Sequence, residues 1–582
     1  MNRCRGFASW ALAMLLFLAT ASRAAEPQGY LSFKSYRDQL AKLDESELVS
    51  LKTLAKTDAG REVVLITLSR SKPESKPAFL IVGNVHGPHL AGGEMALRLA
   101  QSLVAHADDD HIKPLLDRFT FYIIPRPSPD ATEAFFATPS FEREGNDRPT
   151  DDDRDGKVND DGPDDLNADG VITMMRVADA AGEWIEHPDD PRVLIKADPL
   201  KNEIGKYRLL TEGIDNDGDE SFNEDGLGGV AFNRNFTHRY PYFKPGAGPH
   251  QVSEPETRAV ADFAFEHTNI AAVITFTPQD NLFNPWKPNP QADGVRIKTH
   301  ILSSDAPYHE FIAKSYRETH GGKDAPGSPD GNGSFSEWAY FHYGRWSFAA
   351  RGWWVEKVEG VKEVEKTEEA KKAEESQEKA KEKEKKKPSD EKRGAEEINA
   401  LRWLAANKVD GFVDWKRVEH PDFKGKAVEI GGFKPYVLLN PPVAQLDALT
   451  DKHVKWLGDL AALMPKVSVS ETDIEALGGN VYRVKATVVN TGYLPSMSEM
   501  GRITRQPLPL QLAIELPKDA TIIQGTPRTQ VNVLKGNGGT DEHTWLIQAP
   551  TAGLAKVKLW SASVGEHTVE IELKATKTEN AK

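Results

Sequence analysis

Apolar residues are distributed along this chain in two rhythms. From about residue 30 to 465, short unbroken apolar runs alternate with stretches of helical spacing. Residues 62–68 (EVVLITL), 77–85 (PAFLIVGNV), 119–124 (FTFYII) and 271–276 (AAVITF) have strand length and no polar face. Strands covered on both sides have this pattern. Residues 93–104 place Ala96, Ala100, Leu103 and Val104 on one helical face. S-E-P-E, beginning at Ser253, offers a cap, a proline and early acid for a helix that feeds residues 271–276. Thr450 reads as the cap of a last helix, with Val454, Leu457, Leu460 and Ala461 facing inward. The alternation predicts an α/β domain over residues 30–465, a mainly parallel mixed sheet flanked by helices. Beyond residue 465 the period becomes two: Tyr482, Val484, Ala486 and Val488 alternate with polar or smaller residues, as do Val569, Ile571 and Leu573. This predicts an all-β immunoglobulin-like sandwich over residues 466–577.

Two inserts interrupt the α/β pattern. Residues 141–229 are rich in Asp, Asn and Gly, and residues 358–392 are almost all Glu, Lys and Ala. The second insert has helical propensity but no apolar stripe, so it predicts a solvated helix or linker without chemistry. The net charge of −15 argues against a general nucleic-acid binder. Arg3 and Arg5 precede an apolar run over residues 7–19, and small residues follow it. Residues 1–25 therefore read as a signal peptide, implying a secreted, periplasmic or envelope protein with no membrane span after cleavage. Cys4 is the only cysteine and precedes that run. The mature chain then has no disulfide and no thiolate metal site.

The acidic insert repeats one pattern. Asp151, Asp153 and Asp155 stand at alternate positions with Gly156 next and Val158 two further on. Asp165, Asn167 and Asp169 repeat it with Gly170 and Ile172, and Asp215, Asp217 and Asp219 supply a third set. Alternating oxygen ligands, a glycine turn and an apolar anchor suit a calcium loop, although none has the glutamate at position twelve of an EF-hand. Structural calcium is the expectation.

The remaining chemistry lies at strand ends, where open α/β sheets bind ligands. Residues 83–94 read G-N-V-H-G-P-H-L-A-G-G-E, with His86 and His89 spaced to reach one metal ion. K-T-D-A-G-R-E-V (56–63), I-I-P-R-P-S-P-D-A (123–131), G-V-A-F-N-R-N-F (229–236), S-E-P-E-T-R-A-V (253–260), T-F-T-P-Q-D-N-L (275–282) and Y-G-R-W-S-F-A-A-R-G-W-W (343–354) follow in order. In this order, over some four hundred residues, the chain resembles the zinc carboxypeptidases of the carboxypeptidase A type.

That resemblance implies zinc held by H-x-x-E and a later histidine, a glutamate as general base, and an Asn–Arg pair gripping the substrate's terminal carboxylate. Position by position, His86 matches the first ligand, and Asn233 and Arg234 match the clamp. His89 replaces the ligand glutamate, Thr277 the second histidine and Arg351 the general base. Glu94 is retained at a position that is not a ligand in the family. Asp280 and Glu356 are the nearest stand-ins for the missing groups. A hydroxyl is a poor zinc ligand, and a guanidinium neither accepts a proton nor tolerates a neighbouring divalent cation. The expectation is a lapsed peptidase, with zinc weakened or lost, that binds peptide C-termini or small anions through Asn233, Arg234 and Arg351. Two rivals stand beside it: a working metallocarboxypeptidase built on His86 and His89, and a structural or interaction protein of the cell envelope.

Overall fold

The structure is a computed structural model, which describes residues 29–151, 156–218, 222–223, 226, 228–358 and 393–574. Four strands come first: β1 (Val49–Lys56), β2 (Glu62–Leu68), β3 (Ala78–Val82) and β4 (Thr120–Ile124). The acidic insert then adds β5 (Met174–Ala178), β6 (Trp184–Glu186), β7 (Leu194–Lys196) and β8 (Tyr207–Thr211). The chain returns through β9 (Ile270–Phe276) and β10 (Trp346–Ala350), followed by β11 (Phe412–Val418) and β12 (Val428–Phe433).

The main sheet has the order β1-β2-β4-β3-β9-β10. β4, β3, β9 and β10 are mutually parallel, and β1 and β2 close one side antiparallel. Its apolar runs are continuous because each face has its own core. Val64, Ile66, Phe79, Ile81, Phe121 and Ile123 point to one side, and Val63, Leu65, Leu80, Val82, Tyr122 and Ile124 to the other. The first core is roofed by helices Leu90–Ala105, Ala306–His320 and Leu446–Leu463, the second by Pro255–Glu266 and Phe335–Phe341. Complete burial on both faces is why alternation is missing from these strands.

The parallel register brings Ile124, Val82, Thr275 and Ala349 side by side near the strands' carboxyl ends. The segments that leave this edge carry His86, His89, Thr277 and Arg351. Backbone crowding there demands glycine: a Cβ on Gly83 would lie 2.5 Å from the Gly92 carbonyl oxygen. The helix Leu90–Ala105 has no side-chain cap of its own. Asn440 supplies one from a distant segment, accepting from the Ala91 N–H at 2.9 Å.

Three local readings are corrected. Thr450 lies inside the helix Leu446–Leu463, its hydroxyl donating to the Leu446 carbonyl, because the turn Val443–Gln445 starts the helix earlier. The cap of Pro255–Glu266 is Glu254, and Ser253 donates its hydroxyl to that carboxylate. The acidic insert is also more than loops. Its strands join β11 and β12 in a second, antiparallel sheet of order β11-β12-β5-β8-β6-β7. Met175 and Val177 pack there against Val428 and Ile430.

The C-terminal part forms β13 (Val467–Gly478), β14 (Val481–Asn490), β15 (Gln511–Glu515), β16 (Thr521–Gln524), β17 (Arg528–Gln530), β18 (Gly539–Gln548), β19 (Gly553–Ser561) and β20 (Gly565–Leu573). Two four-stranded antiparallel sheets, β13-β14-β18-β16 and β17-β15-β19-β20, share one core. Val484, Val488 and Ile547 from one sheet meet Leu512, Val557 and Leu559 from the other. Asp305 of the α/β part joins the two regions by accepting from the Glu499 and Met500 N–H groups. The signal-peptide residues and almost all of the Glu/Lys insert lie outside the described residues. Among the described residues no helix is long and apolar enough to cross a membrane.

Candidate functional site

Behind β3 the chain turns sharply, and Asn84 sits at φ 40°. Its side-chain amide holds the turn by donating to the Gly87 and His89 carbonyls. The two histidines of this loop differ in exposure. His86 lines a cleft of 660 Å³, with Nδ1 3.8 Å from Glu144 Oε1. Burial holds its pKa below the ordinary imidazole value; Glu144 opposes this, while Arg234 and Arg351 reinforce it. His89 has no exposed surface. Its ring lies among the backbone of Gly92, Phe276 and Arg351. Burial first, then His86 and Arg351, lower its pKa to about 3, so it stays neutral.

The other replaced positions are likewise occupied with packing. Thr277 donates its hydroxyl to Gln279 Oε1, and the Gln279 backbone N–H donates to the Thr277 hydroxyl at 3.3 Å. Arg351 does not line the cleft. Its N–H donates to Asp280 Oδ2 at 2.8 Å, and one guanidinium nitrogen donates to the Pro278 and Gly327 carbonyls at 3.1 and 3.0 Å. Burial lowers its pKa, with Asp280 and Glu396 opposing. Asp280 is buried and accepts from the backbone N–H groups of Leu282, Phe283, Asn284 and Arg351. Glu356 is exposed and does not line the cleft. Neither stand-in is brought to His86. Glu94 is buried and paired with Arg126 at 3.1 Å, a framework role.

The clamp residues come from the short turn Phe232–Arg234, and both line the cleft. Asn233 Oδ1 accepts from the Phe335 N–H at 3.0 Å, and its Nδ2 donates to Gln279 Oε1 at 2.8 Å. Arg234 makes no side-chain hydrogen bond or ion pair with the described residues. The sequence reading missed Gln279, Glu144, Arg239 and Lys244, which also line the cleft. Arg239 is paired with Asp330 at 3.2 Å and Glu337 at 3.6 Å. Three cations (Arg234, Arg239, Lys244) therefore face two acids (Glu144, Asp330), a balance that favours an anionic guest.

A catalytic zinc needs three protein donors around one open position. This cleft offers one imidazole and a carboxylate 3.8 Å from it; the other two family positions are a buried neutral ring and a hydroxyl held by its neighbour. The residues present do not fit a catalytic zinc. Among the described residues no group of three or more His, Cys, Asp or Glu is arranged to hold a metal ion.

The acid-rich loops lie in the insert. Asp165 accepts from the Asp169 and Gly170 N–H groups, Asn167 accepts from Asp169, and Asp169 accepts from Val171. Asp151 accepts from Gly156, and Asp215 from Gly218. Asp217 lies in the same turn as Asp215; Asp153, Asp155 and Asp219 lie outside the described residues. Asp161 was not singled out from the sequence. It has no exposed surface and accepts from Asn216 and Asn223, tying the first loop to the third.

Comparison with known proteins gives this geometry a context. A family model described as zinc carboxypeptidase matches residues 34–356, and one described as a domain of unknown function matches residues 466–572. A zinc carboxypeptidase of Saccharothrix mutabilis subsp. capreolus is 30% identical over 123 residues, covering 20% of this chain and 28% of that protein. Carboxypeptidase E of Caenorhabditis elegans is 31% identical over 103 residues, covering 17% and 22%. The matches thus span about a quarter of the length of these relatives. Among solved structures, carboxypeptidase A from Helicoverpa armigera is 15% identical, covering 55% of this chain and 64% of that one, with a TM-score of 0.34.

Proposed function

The chain belongs to the zinc carboxypeptidase family, and on that premise we propose that it binds peptide C-termini, or other small anions, with hydrolysis lost or strongly impaired. One observation carries this reading. The clamp Arg234 opens into the cleft with no partner among the described residues, while three of the four positions that serve metal and base are replaced and all three lie outside its lining. A guanidinium without a protein partner is a ready carboxylate receptor, because its planar fork matches two oxygens. Without three metal donors nothing activates water, and Arg351 stays cationic where the family places a base.

The same proposal covers location and calcium. Export rests on the pattern of residues 1–25. Structural calcium rests on the repeated Asp/Asn loops, two of which carry glycine at the sixth position in the left-handed region, Gly156 at φ 95° and Gly170 at φ 84°. The test of function is calorimetry on the mature protein in excess chelator. A peptide with a free C-terminal carboxylate should bind, its C-terminal amide should bind more weakly, and no amino acid should be released. Equal binding of acid and amide, or no binding of either, would remove the clamp reading.

A further inference from the structure

One side chain in the cleft has an orientation that backbone groups dictate. The Phe335 N–H, which can only donate, points at Asn233 at 3.0 Å and fixes that atom as Oδ1. The atom Asn233 turns towards Gln279, 2.8 Å away, is therefore its amide nitrogen, and the Gln279 atom that receives it must be the carbonyl oxygen. The Thr277 hydroxyl donates to the same oxygen and accepts from the Gln279 N–H. The Gln279 carbonyl thus takes two donors. Its NH2 group lies on the other side of the amide, and no described residue accepts from it. Gln279 is half-buried and lines the cleft together with Arg234.

We propose that the Gln279 amide N–H is a second carboxylate donor of this cleft, held in place by Asn233 and Thr277. The proposal rests on the reading that the cleft takes peptide C-termini. A carboxylate presents two oxygens, each able to accept more than one bond, so one guanidinium leaves acceptor capacity unused. Gln279 supplies a neutral, directional donor for it. A C-terminal amide has only one such oxygen and repels an N–H donor with its own NH2, so Gln279 discriminates acid from amide as well as adding affinity. Thr277 is then a positioning residue: the side chain that replaces a metal ligand now fixes the rotamer of a ligand-binding amide.

The experiment compares a short N-acetylated peptide acid with its C-terminal amide by calorimetry on the mature full chain in chelator. Melting curves accompany each variant. Gln279→Met keeps the shape and removes the donor; it should weaken the acid roughly 10- to 100-fold, the range for a hydrogen bond to a charged group, and leave the amide nearly unchanged. Gln279→Glu sets carboxylate against carboxylate and should reverse the preference. Thr277→Val should lose roughly 2- to 10-fold for the acid, through position alone. If both Gln279 variants keep the wild-type ratio of acid to amide while Arg234→Ala abolishes it, Gln279 has no such role and the clamp reading survives. If wild type makes no distinction and Arg234→Ala changes nothing, both fall. Should Gln279→Glu fail to fold, Gln279→Met decides.

Discussion

The two walls of the cleft rise from the same sheet edge but employ their polar groups differently. On the wall that serves metal in the family, His89 is sealed beneath the surface, Thr277 is bonded to its neighbour, and Arg351 ties three loop segments together. On the wall that serves the carboxylate, Arg234 stays open and Asn233 holds Gln279 by its carbonyl. One wall is packed into the fold and the other opens onto the cleft. The difference teaches that positions gathered at one sheet edge need not share one environment, since each answers to its own neighbours.

The sharpest way to break this comparison is to treat both walls alike. His89→Ala should cost about 2–4 kcal/mol, because it empties a fully enclosed volume. His86→Ala, at the cleft surface, should cost less than about 1 kcal/mol. Chemical denaturation measures both, and similar values would show that the two rings share one environment. Restoring the family's residue by His89→Glu should be worse still, about 3–5 kcal/mol, since it buries a carboxylate without donors.

Ligand binding should invert that order. Arg234→Ala should weaken a peptide acid by about 1.5–3 kcal/mol and leave the melting temperature unchanged. Arg351→Ala should lower the melting temperature and change affinity little. Calorimetry and thermal melts on the two variants read both effects, and a binding defect in Arg351→Ala larger than that of Arg234→Ala would place the ligand on the wrong wall.

Calcium tests the acidic insert, whose residues Ile172 and Asn223 line a cavity together with Arg234. Binding to the folded state alone stabilises it by mass action, about 2.7 kcal/mol at a hundredfold excess over Kd. Millimolar calcium should raise the melting temperature, chelator should reverse this, and replacing Asp165 and Asp169 by Ala should remove part of the response. Identical melts in calcium and chelator would contradict the calcium loops.

A further expected effect is a pH dependence behind the clamp wall. Asn146 pins Val230, at the start of the clamp segment, and donates its amide to both Glu254 and Glu256. Burial is the main cause that raises the Glu256 pKa to about 7. A carboxyl raised in the folded state favours the protonated form, so its contribution is present below the ordinary carboxylate range and lost as pH rises through about 7. Glu256→Gln should flatten the fall in stability between pH 4.5 and about 7, by about 1–3 kcal/mol. An unchanged slope would remove Glu256 as its cause.

Much of the framework was legible from the sequence because burial is complete. Residues 78–82 have no polar face to obscure, and the period-two change after residue 465 marks the sandwich directly. The strands β5 to β8 were hidden because they are three to five residues long and partly exposed, within a segment dominated by turn formers. The side chains near the cleft were readable from the motifs, and their geometry was not. The spacing of His86 and His89 does not say which ring stays at the cleft surface; tertiary packing around Gly92 and Phe276 encloses His89. Arg351 reads from sequence as a cation in the site, yet the Pro278 and Gly327 carbonyls draw it out of the lining. Gln279 could not be found from spacing, because its orientation is set by a backbone N–H at Phe335 in a different part of the chain.

The central claim is that this family member holds its ligand without metal chemistry. It is tested most directly by measuring zinc content and C-terminal residue release together on the purified mature protein, after incubation with zinc and removal of excess. The account predicts well under one zinc per chain and no release above background, with peptide acid still bound. One tightly held zinc per chain together with released C-terminal residues, both lost in His86→Ala, would contradict it.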